Sequence, residues 1–262
     1  MSSFDNFSQY LHSFLSANEA ETLTKALAET EPVVSVRRNS RKTMGFASAF
    51  EPVPWCSKGA YLSERAPFTF DPLLHAGCYY VQDASSMIYE YIVSRLRSLS
   101  GEKPVKYLDL CAAPGGKTTA ALDALQDDDF VVANEINTAR ARILSENITK
   151  WGAHNCYLSS TDSAKYAKIG EFFDIIVVDA PCSGEGMMRK DDDAVAQWSE
   201  SLIKECAARQ REIIDNAWQS LLPGGYLIYS TCTFNRLENE DILNYLIDEY
   251  EAESIDMHLE SM

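Results

Sequence analysis

Positive charge is what this 262-residue chain has least of: 23 Lys and Arg stand against 39 Asp and Glu, a net charge of −16. That balance gives no long-range attraction to a polyanion, so a nucleic-acid partner has to be met by a local basic patch. The deficit is uneven. Residues 1–104 carry 10 basic and 11 acidic side chains, whereas residues 105–262 carry 13 and 28. The densest basic cluster is Arg37, Arg38, Arg41 and Lys42, which reads equally well as a solvated loop. No apolar run approaches the roughly 18 residues of a membrane span. Met1–Gln9 has neither the basic nor the apolar part of a signal peptide. The seven cysteines are odd in number and include no C-x-x-C, which speaks against a disulfide framework and a zinc site. No metal and no membrane partner are expected, and a reducing cytoplasm is the expected compartment.

Two nucleotide signatures are missing as well. Residues 107–119, Tyr-Leu-Asp-Leu-Cys-Ala-Ala-Pro-Gly-Gly-Lys-Thr-Thr, read as strand, glycine loop and helix, an order that brings a ligand to backbone N–H groups at a helix N-terminus. Gly116-Lys117-Thr118 mimics the end of a triphosphate loop, but that loop needs glycine where Cys111 stands. G-x-G-x-x-G fails too, because the only two glycines here, Gly115 and Gly116, are adjacent. A ligand loop remains, without a triphosphate or dinucleotide marker. Lys117 falls in the first helical turn, where a cation is disfavoured; a carboxylate partner is expected, either Asp179 or one on the ligand.

Residues 4–29 have a helical rhythm, with Asn18 placed to cap a second helix. Val33–Val36 reads as a strand, 43–75 as loops with short strands around Pro52, Pro54, Pro67 and Pro72, and 82–99 as a helix. After Gly101 and Pro104, strands at Val105–Leu110, Phe130–Asn134, Asn155–Ser159, Phe173–Asp179 and Tyr226–Thr231 alternate with helices near 117–126, 138–151, 199–221 and 238–250. Such alternation implies an α/β fold with a parallel sheet covered on both faces, whose ligands lie beyond the carboxyl ends of the strands. Residues 1–75 are expected to form a small N-terminal α+β domain and residues 76–262 a catalytic one. Glu135, Asp162 and Asp179 end or follow three consecutive strands. Glu135 comes 19 residues after Gly116, near the roughly 20-residue offset at which an acid meets a ribose hydroxyl. A nucleoside-like ligand is the reading that uses all three. Asp127–Asp129 and Asp191–Asp193 read mainly as solvated loop charge.

Cys56, Cys78, Cys156 and Cys206 read as small buried residues. Cys182, in Asp179-Ala-Pro-Cys-Ser-Gly-Glu-Gly186, and Cys232, in Tyr229-Ser-Thr-Cys-Thr-Phe234, both follow strand ends on the ligand side. No histidine neighbours either one, so a cysteine protease dyad is poorly supported. Two thiols, a carboxyl group and a nucleoside-type ligand suit methylation of a pyrimidine at carbon 5. That carbon is a poor nucleophile until a thiolate adds at carbon 6 and an acid supports ring N3. It can then attack a methylsulfonium, after which a base removes the carbon 5 proton and the thiolate leaves.

The motifs Asp109–Thr118, Asp179–Gly186 and Ser230–Thr233 resemble the signatures of the Sun-type RNA (cytosine-5)-methyltransferases. Pro32–Arg41, His75–Met87 and Asn235–Glu240 extend the resemblance over roughly residues 19–245, closest to the bacterial ribosomal RNA branch. It implies a Rossmann-like S-adenosylmethionine-dependent methyltransferase sheet, with S-adenosylmethionine as cofactor, a ribosomal RNA or tRNA substrate contacted by residues 1–75, and a monomer. Cys111, Ala112, Ala113, Pro114, Gly115, Gly116 and Lys117 would line the methionine end, Glu135 would hold the ribose and Asp162 would meet the adenine. Asp179 would lie between cofactor and base, with Cys232 as nucleophile and Cys182 assisting release. Pro181-Cys182 also mimics the Pro-Cys nucleophile of DNA cytosine methyltransferases; the Ser-Thr-Cys-Thr setting favours Cys232. Arg140, Arg142, Arg189 and Lys190 are candidate RNA contacts. The family sheet has seven strands. Ile255–Leu259 is the expected start of the sixth and no seventh is visible, so the front part of a longer protein is expected. An assembly factor of the same fold without activity, and an oxidoreductase, are the competing readings.

Overall fold

The computed structural model describes residues 3–42 and 51–258. The apolar runs form the larger of two sheets: β5 (Lys106–Asp109), β6 (Phe130–Asn134), β7 (Cys156–Ser159), β8 (Phe173–Asp179) and β9 (Leu221–Ser230), in the order β7-β6-β5-β8-β9. Pairings β5–β6, β5–β8 and β6–β7 are parallel, with Leu108 opposite both Val132 and Ile176. Ile175 to Val178 are fully buried, as strands covered on both faces must be. The chain leaves β5 outward through β6 and β7, then returns to β8 on the other side. The order therefore reverses beside the end of β5, where sheets of this kind bind ligands. Helices α5 (Gly116–Ala124), α6 (Thr138–Trp151), α7 (Ser163–Ala167), α8 (Asp192–Gln197) and α9 (Glu200–Trp218) lie between the strands in sequence, and α10 (Glu240–Tyr250) follows β9.

Four of these strands fall within a residue or so of their expected bounds, but β9 starts five residues before Tyr226. Leu222-Pro-Gly-Gly carries turn signals, yet its backbone continues the strand. A Cβ on Gly225 would stand 2.9 Å from the Asp174 carbonyl, an approach only glycine permits. The sixth strand is not formed over Ile255–His258; Leu259 lies outside the described residues.

The smaller sheet is antiparallel, with β1 (Val34–Arg38), β2 (Glu51–Val53), β3 (Cys56–Leu62) and β4 (Tyr79–Val81) in the order β2-β3-β1-β4. Four further helices are α1 (Ser3–Leu11), α2 (Ala17–Glu29), α3 (Pro72–His75) and α4 (Ile88–Leu99). Ser16, not Asn18, caps α2. Its hydroxyl accepts from Glu19 N, and the Glu19 carboxylate accepts from Ser16 N at 3.0 Å, a reciprocal box that Asn18, already inside the helix, cannot make.

The chain divides into two compact units. One comprises residues 1–32, 179–215 and 229–256; the other comprises 33–178, 216–228 and 257–262. In the first, Phe7, Leu11, Leu27, Trp198 and Ile203 form a core. In the second, α4 and α5 pack on the sheet through Val93, Leu96, Ala120 and Leu122 against Tyr107, Val131 and Ile175.

Two charge clusters depart from expectation. Of the basic cluster only Arg38 is exposed. Arg37, one residue before the end of β1, is fully buried, paired with Asp123 and donating to Gln82 Oε1 at 2.9 Å and Thr119 Oγ1 at 2.5 Å. Its guanidinium lies 4.5 Å from the centre of the Trp151 ring. Arg41 pairs with Asp127 at 2.9 Å, and Lys42 donates to the carbonyls of Ala76 and Lys150. The acidic run 127–129 is likewise not all solvated. Asp129 is buried and accepts from Arg97 Nε, Val105 N and Gln126 N at 2.6–2.8 Å. Such charges stay buried because their hydrogen bonds are saturated.

Candidate active site

The loop Leu110–Gly115 leaves β5 at the point of order reversal and enters α5. Thr118 Oγ1 donates to the buried Asp109 Oδ2 at 2.6 Å, closing the loop on itself. Asn134, buried at the end of β6, donates to the carbonyls of Leu110 (3.1 Å) and Thr161 (3.0 Å). Its own side-chain oxygen accepts from Ser159 Oγ and Thr161 N. One asparagine thereby ties the carboxyl ends of β5, β6 and β7 together. It was missed in the sequence; the available signal is an asparagine closing the apolar run Phe130–Ala133.

Gly115 sits at φ +108°, and a Cβ there would come within 3.2 Å of Leu144 Cδ1. A Cβ on Gly116 would stand 3.4 Å from the Tyr80 ring. These glycines therefore answer first to backbone shape and packing. The Pro114 carbonyl accepts from Asn147 Nδ2 at 2.8 Å, and the Ala113 carbonyl from Arg140 at 2.7 Å. Lys117 does fall in the first turn of α5, its ammonium 5.5 Å from the centre of the Tyr89 ring, an attractive cation–π geometry.

Glu135 is buried just after β6. One oxygen accepts from Asn137 N at 2.9 Å and the other lies 3.5 Å from Arg140. Asp162 is exposed and caps α7 by accepting from Ala164 N at 2.8 Å. Cys111–Lys117, Glu135 and Asp162 thus stand at the ends of the adjacent strands β5, β6 and β7. The set fits S-adenosylmethionine: small residues and a nine-residue helix N-terminus for close approach, then a fixed acceptor for a diol. Of the candidate RNA contacts, Arg140 is engaged with Glu135 and Ala113, Arg189 donates to Thr30 Oγ1 at 3.4 Å, and Arg142 and Lys190 are exposed.

The other candidate residues lie in the first unit. Asp179 ends β8, and its Oδ1 accepts from Ser230 Oγ at 2.7 Å, while Ala180 N donates to Ser230 O at 3.0 Å. The loops that follow run together. The sulfurs of Cys182 and Cys232 are 3.1 Å apart, and Cys232 N donates to Cys182 Sγ at 3.3 Å. Cys232 is exposed and Cys182 partly buried. The hydrogen bond shared with Cys232, and then burial, push the Cys182 thiol far above the usual thiol range, so Cys182 keeps its proton and can donate it to the neighbouring sulfur. Beneath the pair lie Glu185 and Glu238, both fully buried. Both fall inside the quoted motifs, yet neither was singled out, because a glutamate in a glycine-rich loop or a polar run reads as solvated.

A parallel sheet with its glycine loop at the order reversal and a strand-end acid beside it has the Rossmann-like architecture of the S-adenosylmethionine-dependent methyltransferases. A solved methyltransferase homologue from Pyrococcus horikoshii has this fold, with a TM-score of 0.75 and 27% identity over 90% of this chain and 76% of that one. Residues 97–262 match the family of the 16S rRNA methyltransferases RsmB/F, and residues 5–84 match the N-terminal domain of 16S rRNA methyltransferase RsmF; the chain belongs to this family. Ribosomal RNA small subunit methyltransferase F of Cronobacter sakazakii is 42% identical over 76% of this chain and 42% of its own length. The Escherichia coli protein of that name is 38% identical over 83% and 46%. The chain thus spans less than half the length of these curated relatives.

Proposed function

We propose that this chain carries the catalytic residues of a cytoplasmic, monomeric enzyme that methylates carbon 5 of a cytosine in small-subunit ribosomal RNA. S-adenosylmethionine, held by Cys111–Lys117, Glu135 and Asp162, supplies the electrophilic methyl group. Residues 1–75 contribute RNA contacts. The observation that carries this reading is the pair of thiols, Cys182 and Cys232, 3.1 Å apart and following strand ends that also bear Asp179.

Cys232, the more exposed sulfur, adds as a thiolate to carbon 6 of the ring, forming a C–S bond. Asp179, oriented by Ser230, faces ring N3 in its acid form and donates its proton there as Cys232 adds, which offsets the negative charge that addition places on the ring. Carbon 5 is then nucleophilic and takes the methyl group. Loss of the carbon 5 proton to a base re-forms the double bond and expels Cys232 as a thiolate. Cys182, which keeps its proton, assists by hydrogen bonding to the departing sulfur.

Methyl transfer from labelled cofactor to 16S ribosomal RNA, with covalent protein–RNA adducts followed on denaturing gels, tests this. Cys232→Ala is expected to abolish both methylation and adduct. Cys182→Ala is expected to leave the adduct standing. An adduct that survives loss of Cys232 but disappears without Cys182 reverses the two roles. Tight cofactor binding with no transfer to any RNA in an intact protein favours a non-catalytic assembly factor instead.

A further inference from the structure

The two glutamates beneath the thiols have a crossed arrangement of donors. Glu238 follows the Cys232 loop but holds the Cys182 loop. Its Oε2 accepts from Ser183 N at 3.0 Å and from Gln210 Nε2 at 2.7 Å, and the same Gln210 amide donates to the Pro181 carbonyl at 2.9 Å. The residues on both sides of Cys182 are thereby anchored to one carboxylate. Glu185 lies in the Cys182 loop but holds the Cys232 loop. Its Oε2 accepts from Phe234 N at 2.7 Å and Asn235 N at 3.1 Å, and next to it Gly186 N donates to the Cys232 carbonyl at 2.8 Å. Asn235 Nδ2 stands between the carboxylates, 2.8 Å from Glu238 Oε1 and 3.1 Å from Glu185 Oε1.

Every one of these donors is neutral. Two fully buried carboxylates with no cation among their donors in the described residues are costly, and hydrophobic packing would be the cheaper way to fill the space. What the carboxylate supplies is acceptor capacity alone. An amide in its place would turn an NH2 group toward N–H donors. We propose that Glu238 is a positioning residue for Cys182, acting through Ser183 and Gln210, and that Glu185 does the same for Cys232. This rests on the roles assigned above to the two cysteines. The crossing makes each loop hold the other, so the distance between the sulfurs is set by buried hydrogen bonds rather than by two independent surface loops. A thiol displaced by about 1 Å loses much of its rate.

Iodoacetamide labelling of the 262-residue chain, resolved by cysteine with mass spectrometry, reads the effect without RNA or cofactor. Glu238→Gln is expected to speed labelling of Cys182 about tenfold, the size of losing one hydrogen bond to a charged acceptor, and to change Cys232, which touches Cys182, several-fold less. Glu185→Gln is expected to alter Cys232 and spare Cys182. Gln210→Met is the variant least exposed to misfolding, because Gln210 Oε1 is buried with no hydrogen-bond partner of its own; it is expected to reproduce the Cys182 effect. Equal changes at both thiols, or no change in a folded Gln210→Met protein, overturn the proposal. In the adduct assay Glu238→Gln is expected to accumulate RNA adduct as Cys182→Ala does. Selective labelling without any adduct in the parent chain would keep the positioning role and remove the methyltransferase reading.

Discussion

At the scale of single residues, charge is the property the sequence conceals best. Arg37 and Asp129 read as solvated because their neighbours in sequence are polar. What buries them is a partner far away along the chain, Asp123 for Arg37 and Arg97 for Asp129. Cys182 and Cys232 were legible because each follows a strand end, and in a parallel sheet those ends share one side. The Arg37 pair gives a test. Arg37→Met leaves Asp123 buried without its ion-pair partner, with the Ser40 hydroxyl still donating to it at 2.9 Å, which is expected to cost about 3–5 kcal/mol in urea unfolding. Burial already pushes the Asp123 carboxyl up, and Arg37 is the largest of the influences that pull it back, ahead of Lys58 and the Ser40 hydrogen bond; without Arg37 the upward push is opposed far less. A carboxyl whose folded pKa is raised binds its proton more tightly in the folded state. The loss is therefore expected to be full at neutral pH and to shrink as pH falls through the raised value toward the ordinary carboxylate range. Adding Asp123→Leu to Arg37→Met is expected to restore most of the stability at pH 7. A single mutant whose deficit is the same at pH 4 and pH 7 contradicts this account.

At the scale of elements, apolar periodicity placed β5 to β8, α6 and α10 closely, because those segments depend on local pattern. It misplaced what depends on contact between distant backbones. The start of β9 is one such case, and Gly77 is another. Gly77 lies at φ +68° between α3 and β4, and a Cβ on it would fall 2.1 Å from the Lys150 carbonyl oxygen at the end of α6. Around it Asn39 Nδ2 donates to the carbonyls of Gly77 and Trp151, each at 2.8 Å. Nothing in the run His75-Ala-Gly-Cys announces this junction. Gly77→Ala combines a left-handed backbone with a backbone clash, and is expected to cost about 3–5 kcal/mol. Gly115→Ala meets only the end of a leucine side chain at 3.2 Å, and is expected to cost about 1–3 kcal/mol. Thermal unfolding checks the order. Calorimetry with S-adenosylhomocysteine separates the sites further: Gly115→Ala is expected to weaken binding by reshaping the loop, whereas a folded remnant of Gly77→Ala is expected to bind normally. The reverse order of stabilities would mean that the junction at α6 yields more easily than the glycine loop.

At the scale of the whole molecule, the net charge of −16 and the proposed RNA substrate pull against each other. The N-terminal basic cluster relieves it only through Arg38, because Arg37 is buried, Arg41 is paired with Asp127, and Lys42 is bound to two carbonyls. Arg38, Arg142 and Lys190 are exposed, and the proposed RNA binding takes these three as its phosphate contacts. Phosphate contacts release counterions, so their number sets how steeply affinity falls with salt. Three such contacts to single-stranded RNA give a slope of about −2 in log affinity against log salt. Fluorescence anisotropy with a labelled 16S ribosomal RNA fragment is expected to return a slope of that order and weak absolute affinity for this chain. Arg142→Ala is expected to flatten the slope by a little less than one unit without changing thermal stability, since its side chain is exposed. Arg37→Met, compared at a temperature where it is still folded, is expected to leave the slope unchanged, because a buried guanidinium neutralises no phosphate. A slope steeper than about −5, which requires seven or more phosphate contacts, would mean that a basic surface has been overlooked, and a flattened slope in Arg37→Met would mean that the buried pair opens to bind RNA.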